Sequence, residues 1–441
     1  MNDGIGMYIH IPFCKSKCYY CDFNSYSGMD HLAGSYFNAL KTEMRVMSED
    51  LKDSTVKTVF IGGGTPSLVD PAYISGLLEE CRRLFNIIPD AEVSMECNPG
   101  TLSFGSLRIY RQAGINRLSI GLQAWQDRLL ESLGRIHRRQ QFVENLEAAY
   151  RAEFTNVNAD LIFGLPGQTF EDWTETLEAV TNLYREHRLT HLSCYDLQIE
   201  EGTVFGDRYE SGTLAPAEDE LDRKMYRHAV EFLAEMGYRH YELSNFAIPG
   251  FECRHNLTYW RAEEYAGFGA GAHSYLDGKR FGNTTGIEDY ITAVKRLEAG
   301  ERGGVHKGSC ENGAGDNPEQ PDIRPCTALI SAGVEAGLHE DLQYIGREES
   351  MSEFMILGLR LIKGISSEKF RLRYGTELKE VYGDKLGKLV DAGLLIREET
   401  GNIADLPGEY GAESGGIKPD VLYRLSNIGL DLANKVFIEF I

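Results

Sequence analysis

Short apolar runs alternate with longer amphipathic stretches over the first half of the chain. Runs typical of buried strands lie at residues 7–11, 56–62, 92–97, 117–120, 157–163 and 192–197, with a further candidate at 238–243. Helical periodicity marks residues 32–47, 74–85, 140–152, 170–184 and 220–236. This repeated strand-helix pattern predicts parallel strands with right-handed crossovers, as a full or partial (β/α) TIM-like barrel or as a doubly wound sheet.

Polar residues in this half of the chain fall at or just beyond the carboxyl ends of the predicted strands. They are Cys14, the GGGT of residues 62–65, Glu96, Gln123 and Asp160. In parallel α/β folds this edge is where ligands bind. The sequence therefore predicts one active site to which successive strands contribute.

The predicted barrel spans residues 1–245, and three further segments follow it. Residues 246–300 lose the regular alternation and are expected to be a loop-rich segment that closes the barrel. Residues 301–350 are rich in Gly and Asn and predict an insert or linker. Residues 351–441 predict a small winged-helix-like α+β domain, with a hairpin at 393–406, a Gly-rich insertion at 402–420 and a final helix at 423–441.

The segment GFGAGAHS (267–274) superficially matches a dinucleotide-binding fingerprint. It has no predicted strand before it, no predicted helix after it and no acidic residue about twenty positions on in a βαβ unit, so we reject that interpretation. We expect its glycines to allow close approach of the backbone to a cofactor or to the barrel end. We expect His273 to be a hydrogen-bonded core residue.

Composition narrows the class of protein. A hydrophobic fraction of 42% supports a sizeable core, and the absence of a run of about eighteen apolar residues predicts a soluble, cytoplasmic protein. A net charge of −22 disfavours binding to nucleic acid or to anionic membranes. Nine cysteines, with three of them packed together and the others scattered, favour reduced thiols and metal ligands over a secreted disulfide framework.

Cys14, Cys18 and Cys21 have CxxxCxxC spacing directly after the first predicted strand. A zinc site usually closes with four N or S ligands, and no second cysteine pair accompanies this triplet. A 4Fe–4S cluster takes one thiolate per iron, so three cysteines leave one iron open for an external ligand. Unligated cysteines in a surface loop are the remaining alternative. Lys15 and Lys17 either offset the charge of a cluster or are ordinary solvated charges.

This triplet, with Tyr20 before its last cysteine, resembles that of the radical S-adenosylmethionine superfamily. The resemblance implies that the open iron binds the methionine end of S-adenosylmethionine, whose sulfonium is cleaved by an electron from the cluster to give a 5′-deoxyadenosyl radical. The protein would supply orientation and a dry pocket. The resemblance also implies cofactor contacts at Tyr8, Tyr20, Gly63, Gly64, Thr65, Glu96, Gln123, Arg135 and Asp160.

Several of these positions also suit a purely structural role. Gly63 and Gly64 expose backbone groups to a ligand, while Thr65 could simply cap the helix that follows. Carboxylates suit ribose hydroxyls, and the Arg135 guanidinium suits the methionine carboxylate. Each of these charged side chains could equally form a structural ion pair.

These stretches, the segment DLIFGLPGQT (160–169) and the C-terminal domain resemble one group within the superfamily. It contains the oxygen-independent coproporphyrinogen III oxidases and a branch of heme chaperones. The oxidases carry a fourth cysteine two positions after the third, where this chain has Phe23. They also carry an N-terminal extension, whereas only residues 1–13 precede Cys14 here. Both differences favour the chaperone branch.

RHNLTYW (254–260) contains the HNxxYW pattern associated with heme binding in the chaperone branch. The resemblance implies heme contacts at His255, Asn256, Tyr259 and Trp260. An imidazole can ligate iron, and the two aromatic rings offer flat surface to a macrocycle. Cys253 is a competing thiolate ligand. A histidine and two aromatics that merely pack an irregular loop are the structural alternative.

Two functions follow from the resemblance. A heme chaperone would hold heme, a 4Fe–4S cluster and S-adenosylmethionine, use an electron donor for the cluster, and deliver heme to an apo-hemoprotein such as a respiratory enzyme. An oxidoreductase of the coproporphyrinogen III dehydrogenase type would instead decarboxylate the propionates of its substrate. The sequence leaves open whether the protein is an enzyme, whether it acts on another tetrapyrrole and whether it forms a homodimer.

Overall fold

A computed structural model describes residues 4–183, 189–300, 328–400 and 420–441. The strands are β1 (Ile5–Ile11), β2 (Phe13–Cys14), β3 (Tyr26–Ser27), β4 (Thr55–Gly63), β5 (Asn86–Cys97), β6 (Arg117–Gln123), β7 (Asn156–Phe163), β8 (His191–Asp196), β9 (Arg239–Glu242), β10 (Asn245–Ala247), β11 (Tyr265–Phe268), β12 (His273–Leu276), β13 (Lys279–Asn283), β14 (His339–Tyr344), β15 (Ile365–Ser366), β16 (Leu395–Thr400) and β17 (Asp420–Leu425). The helices are α1 (Ala33–Met47), α2 (Pro71–Leu84), α3 (Phe104–Gln112), α4 (Asp127–Ser132), α5 (Arg139–Arg151), α6 (Phe170–Asn182), α7 (Val204–Glu210), α8 (Asp219–Glu235), α9 (Arg254–Trp260), α10 (Ile287–Ala299), α11 (Ala328–Ala336), α12 (Arg347–Gly358), α13 (Ser367–Tyr374), α14 (Leu378–Asp391), α15 (Asn427–Asp431) and α16 (Ala433–Ile438).

The main sheet has the strand order β14-β13-β12-β11-β1-β4-β5-β6-β7-β8-β10-β9. From β1 to β8 in that order, each strand pairs in parallel with the next. Strand β11 extends the parallel part beyond β1, and antiparallel strands complete both ends of the sheet. This arrangement confirms the predicted α/β fold, a partial (β/α) barrel followed by a smaller C-terminal domain.

Alternation along the first strand divides its side chains between the core and the site. Met7, Ile9 and Ile11 join the main hydrophobic core. Tyr8 and His10 point to the opposite face, as the two-residue period of a strand requires, and they line a cavity. The period-2 register therefore determines which residues of this strand can meet a ligand.

The expectation that residues 246–300 are loop-rich is wrong. This segment contains helix α9, strands β11 to β13 and helix α10. The strands are short and interrupted by glycines that permit close backbone crossings: a Cβ on Gly267 would lie 2.1 Å from the carbonyl oxygen of His273. Short strands of this kind leave too little periodicity to be recognised in the sequence.

Part of the predicted insert at 301–350 is also regular structure. Residues 301–327 lie outside the described residues. After them come helix α11 and strand β14, and β14 pairs antiparallel with β13 at the edge of the main sheet.

The C-terminal part has a hydrophobic cluster of its own, which includes Met355, Leu359 and Phe370. Helices α12 to α16 surround a small sheet of order β15-β17-β16. The predicted hairpin and final helix are misplaced, because β16 pairs with β17 at residues 420–425 and the helices begin only at Asn427. Residues 401–419, within the predicted Gly-rich insertion, lie outside the described residues.

Over the described ranges, every helix is too short or too polar to cross a lipid bilayer.

Candidate functional site

The three cysteines occupy one loop at the carboxyl end of β1. All three are free thiols and half-buried. Burial raises the pKa of the Cys21 thiol to about 11, and the neighbouring thiols of Cys18 and Cys14 also act to raise it. The loop thus holds the three sulfur atoms close enough for each to influence the others.

Three thiols in one loop are a donor set that a 4Fe–4S cluster can use. Within the described ranges, no group of three His, Cys, Asp or Glu side chains stands close enough to hold one metal ion. A 4Fe–4S cluster places each thiolate on a different iron. The donor set of three thiols in one loop fits such a cluster.

The glycines that end β4 allow the cysteine loop to approach. A Cβ on Gly64 would lie 2.7 Å from the carbonyl oxygen of Phe13 and 3.1 Å from the Cys14 sulfur. Gly63 has a φ of +115°, and a Cβ there would lie 2.6 Å from the His10 ring. The next residue, Thr65, has its hydroxyl 3.5 Å from the Cys14 sulfur. These positions form a cradle beside the cluster loop.

Arg135 connects the cluster loop to the strand ends. Its guanidinium donates hydrogen bonds to the Asn98 side-chain oxygen at 2.8 Å and to the Gly121 carbonyl at 2.8 Å. It also lies 3.5 Å from the Cys18 sulfur. Burial raises the pKa of the neighbouring Tyr20, although Arg135 opposes that shift. Cys18, Thr65, Asn98 and Arg135 together line a narrow cavity of about 30 Å³.

Asn98 is a site residue that the sequence interpretation missed. Its amide donates to the Thr65 hydroxyl at 2.8 Å, and its side-chain oxygen accepts from Arg135. One side chain therefore orients two of the predicted cofactor contacts. Its position directly after Cys97, the last residue of β5, is the signal that could have revealed it, because strand ends supply ligands in this fold class.

Two carboxyl groups, those of Glu96 and Asp160, line the inner cavity. Burial, followed by the nearby charge of Asp160, raises the pKa of Glu96 to about 7. The Glu96 carboxylate accepts a hydrogen bond from the Gly63 amide at 3.0 Å. Asp160 accepts hydrogen bonds from Ser119 at 3.0 Å and from Asn158 at 2.8 Å. Both carboxyl groups can accept hydrogen bonds from a ligand's hydroxyl or amino groups.

Gln123 adopts a backbone conformation that is unusual for its residue type. Its φ is 70°, which places a non-glycine residue in the left-handed region at the end of β6. Strained residues of this kind cluster at functional sites. Gln123 lines none of the three cavities in the described part of the chain, so its contact role stays a prediction.

Two adjoining cavities lie inside the barrel. The outer cavity has a volume of about 320 Å³ and is lined by Tyr8, His10, Phe23, Asn24, Gly63, Glu96, Tyr259, Tyr265, Gly271 and His273. The inner cavity has a volume of about 160 Å³ and is lined by Tyr8, Phe60, Glu96, Arg117, Ser119, Asn158, Asp160, Ser193, Tyr195, His255, Asn256 and Tyr259. Because Tyr8, Glu96 and Tyr259 belong to both walls, the two cavities adjoin and together form one depression inside the barrel.

The HNxxYW segment is a helix, not an irregular loop. The Glu92 carboxylate accepts hydrogen bonds from the backbone amides of Arg254 at 3.0 Å and His255 at 3.1 Å, so it satisfies two amides at the start of α9. Tyr259 reaches both cavities and Asn256 reaches the inner one. The Arg360 guanidinium carbon lies over the Trp260 ring, 4.4 Å from the ring centre.

His255 is buried and fully engaged in hydrogen bonds. Its Nδ1 lies 2.8 Å from the Thr58 hydroxyl and its Nε2 lies 2.9 Å from the Tyr259 hydroxyl. The ring stacks on Phe60 at a centroid distance of 5.1 Å. Burial lowers the pKa of His255 to about 3, so the ring is neutral. As a ligand to iron, this imidazole would first have to break one of its two hydrogen bonds.

Two further residues differ from their sequence-based interpretation. Cys253 is fully buried, and burial raises the pKa of its thiol to about 12, which disfavours the thiolate that would ligate iron. His273 is not a core residue, since its side chain is exposed at the wall of the outer cavity.

The partial barrel, with CxxxCxxC at the end of its first strand, defines a radical S-adenosylmethionine protein. The family model for the Radical SAM superfamily matches residues 8–180, and the model for the HemN C-terminal domain matches residues 345–402. Membership of this superfamily implies a 4Fe–4S cluster and S-adenosylmethionine as cofactors, which the thiol set and the glycine cradle fit.

The chain belongs to the HemW family. The heme chaperone HemW of Bacillus subtilis (strain 168) is 34% identical over 394 residues, which cover 89% of this chain and 93% of the relative. The heme chaperone HemW of Lactococcus lactis subsp. lactis is 32% identical, with 98% of this chain and 96% of the relative covered. That of Synechocystis sp. is 43% identical over 62% of this chain and 67% of the relative.

The fold is shared with a solved structure. Coproporphyrinogen III oxidase (HemN) from Escherichia coli superposes with a TM-score of 0.74 at 19% identity, covering 100% of this chain and 91% of that protein.

Proposed function

We propose that this protein is a heme chaperone. It binds heme in the outer cavity, beside a 4Fe–4S cluster and S-adenosylmethionine, and delivers the heme to an apo-hemoprotein such as a respiratory enzyme. It acts in the cytoplasm, where reduced thiols persist, and draws electrons for the cluster from a separate donor protein.

The outer cavity is the observation that carries the proposal. Tyr8, Phe23, Tyr259 and Tyr265 give it aromatic walls, and its volume of about 320 Å³ falls within the range of ligand sites. Phe23 is 59% exposed. An aromatic side chain that is exposed beside a cavity supports the presence of a large, flat, apolar ligand that covers it.

The cofactors would lie at the cluster-loop end of the depression, and they would share the wall residues Tyr8, Gly63 and Glu96 with the heme. Cys14, Cys18 and Cys21 would hold the cluster, and Thr65 and Arg135 lie beside it. Tyr8, Gly63, Glu96 and Asp160 line the barrel interior next to them. When bound, the cluster and S-adenosylmethionine would supply one-electron chemistry. The protein's part is to hold the cofactor's polar groups and to keep water out of the barrel.

Within this proposal, helix α9 contributes to heme binding mainly through its aromatic residues. Tyr259 lines the outer cavity, while Asn256 lines the inner one. Trp260 is held at the end of the helix under Arg360. His255 supports Tyr259 through its hydrogen bond of 2.9 Å.

The alternative is an oxygen-independent coproporphyrinogen III oxidase. The similarity to the Escherichia coli oxidase concerns the fold, which many activities can share. The full-length likeness to proteins named heme chaperones supports the first function.

Two assays separate the functions. Heme-loaded protein should transfer heme to the apo form of a respiratory cytochrome faster than heme-loaded serum albumin does, as followed by the acceptor's absorbance. An anaerobic mixture of the cluster-loaded protein, a reductant, S-adenosylmethionine and coproporphyrinogen III should yield no protoporphyrinogen. Transfer no faster than from albumin, together with formation of protoporphyrinogen, would overturn the proposal.

A further inference from the structure

Three histidines border the two cavities, and they differ in the freedom of their ring nitrogens. His10 Nδ1 lies 2.9 Å from the Tyr8 hydroxyl, and His10 Nε2 lies 2.7 Å from the Asn24 carbonyl. A carbonyl only accepts, so Nε2 carries the proton and Nδ1 accepts from Tyr8. His255 is engaged at both nitrogens by Thr58 and Tyr259. Neither ring has a free lone pair for iron.

His273 has the opposite properties. Its side chain is exposed at the wall of the outer cavity. Across the residues that the structure describes, its ring nitrogens form no hydrogen bond or ion pair within the chain, so the lone pair of a neutral imidazole is available to a ligand.

The strand pairing provides the space that this ring needs. His273 begins β12 and lies directly opposite Gly282 of β13. A Cβ on Gly282 would lie 3.1 Å from the Cε1 atom of His273, closer than ordinary side-chain contacts. The glycine therefore lets the imidazole lie across the neighbouring strand at the cavity wall.

The same cavity presents aromatic rings to the face of a macrocycle. Tyr259 and Tyr265 meet edge to face, with centroids 4.8 Å apart, and exposed Phe23 joins them in the wall. Gly63 and Glu96, the predicted cofactor contacts, line the same cavity. An axial ligand at His273 and aromatic contacts at these rings together suit an iron porphyrin.

We propose that His273, rather than His255, provides the axial imidazole ligand to heme iron. This inference rests on the proposed function. The step is the formation of a dative bond from an imidazole nitrogen to iron, with displacement of the water or other weak ligand that heme carries in solution, and it needs no oxidant or reductant. Tyr259 then contributes aromatic contact, with its hydroxyl held by His255.

The test is a titration of the purified, cluster-loaded protein with heme, followed in the Soret region. The variant His273→Ala should bind heme at least about tenfold more weakly and lose the spectrum of an imidazole-ligated iron, and added imidazole should restore that spectrum. The variant His273→Cys should give a thiolate-type spectrum, which only a residue on the iron can cause. His31→Ala, which changes another exposed histidine, is the matched control and should behave like the unchanged protein.

The outcomes separate this inference from the proposed function. If the unchanged protein takes up no heme in a saturable way, the proposed function fails. If it binds heme but His273→Ala keeps the same affinity and Soret maximum, only the ligand assignment fails. Loss of the ligated spectrum in His255→Ala, with His273→Ala unaffected, would overturn the assignment in favour of His255. Melting temperatures of all variants show whether a loss of binding reflects unfolding.

Discussion

The Asn24 side-chain amide donates hydrogen bonds to the carbonyl oxygens of Ala270 and Thr285, both at 3.0 Å. Asn24 follows the last cysteine of the cluster loop by three positions, and Ala270 lies in the turn that leads into His273. The two segments are distant in sequence and become neighbours because β11 pairs with β1. These two hydrogen bonds thus join the cluster loop to the segment that forms the proposed heme-binding wall.

The variant Asn24→Ala should loosen this connection. Loss of two hydrogen bonds of about 1 kcal/mol each should lower the melting temperature and weaken heme binding by roughly tenfold, because the turn before His273 loses its support. Heme titration and differential scanning calorimetry measure the two effects. Asn86→Ala removes an exposed asparagine elsewhere and should leave heme affinity unchanged. Equal heme affinity in Asn24→Ala and the unchanged protein would show that these two hydrogen bonds do not contribute to heme binding.

The variant Gly64→Ala should reduce cluster incorporation severalfold. Its new methyl group would meet the Phe13 carbonyl at 2.7 Å and the Cys14 sulfur at 3.1 Å, so the cysteine loop would have to move. Iron and sulfide analysis after anaerobic reconstitution measures the loss. In the control Gly76→Ala, the nearest atom is the flexible end of Lys41, so full incorporation is expected. A fully loaded Gly64→Ala protein would contradict the role of the cradle.

The variant Asn98→Ala should weaken binding of S-adenosylmethionine. Removing its amide takes away one hydrogen bond of 2.8 Å from the Thr65 hydroxyl and one of 2.8 Å from Arg135, which keeps its bond to the Gly121 carbonyl. The loss of orientation corresponds to about 1 to 2 kcal/mol, or roughly tenfold in dissociation constant. Equilibrium dialysis with cluster-loaded protein measures the change. If Asn98→Ala binds S-adenosylmethionine with unaltered affinity while Arg135→Gln binds it much more weakly, Arg135 does not need the hydrogen bond to Asn98.

The variant Glu96→Gln should alter the pH dependence of stability. Burial and Asp160 raise the pKa of Glu96 in the folded protein to about 7, from an ordinary value of 4.5. Stability from such a group is fully present below its unfolded pKa and is lost as the pH rises through the folded pKa. Compared with the unchanged protein, Glu96→Gln should therefore have a similar melting temperature near pH 4 and a melting temperature several degrees higher near pH 8. A difference in melting temperature that stays constant between these pH values would contradict the raised pKa of Glu96.

The sequence predicts the barrel better than the segment that follows it. Strands such as β4 and β7 are long, strongly apolar and separated by amphipathic helices, so their pattern is clear. Strands β11 and β12 each have four residues, and the glycines between them resemble a loop in the sequence. Strand β11 joins the sheet by pairing with β1, and β12 joins it by pairing with β11 and β13, which no local pattern encodes.

The candidate site also combines residues that a sequence motif reveals with residues whose role depends on contacts made in the fold. CxxxCxxC is a local motif, so a cluster could be predicted from its spacing and the superfamily from its resemblance. The contrast between His255 and His273 depends on contacts with Thr58, Tyr259 and Gly282, which are made only after folding. A motif identified His255, whereas burial and hydrogen bonding indicate that His273 is the freer imidazole.

The most direct measurement is the titration of purified, cluster-loaded protein with heme. A heme chaperone with the outer cavity as its site should show a saturable Soret shift at a ratio of one heme per chain. Non-saturable absorbance changes, equal to those of heme added to an unrelated protein, would contradict the account.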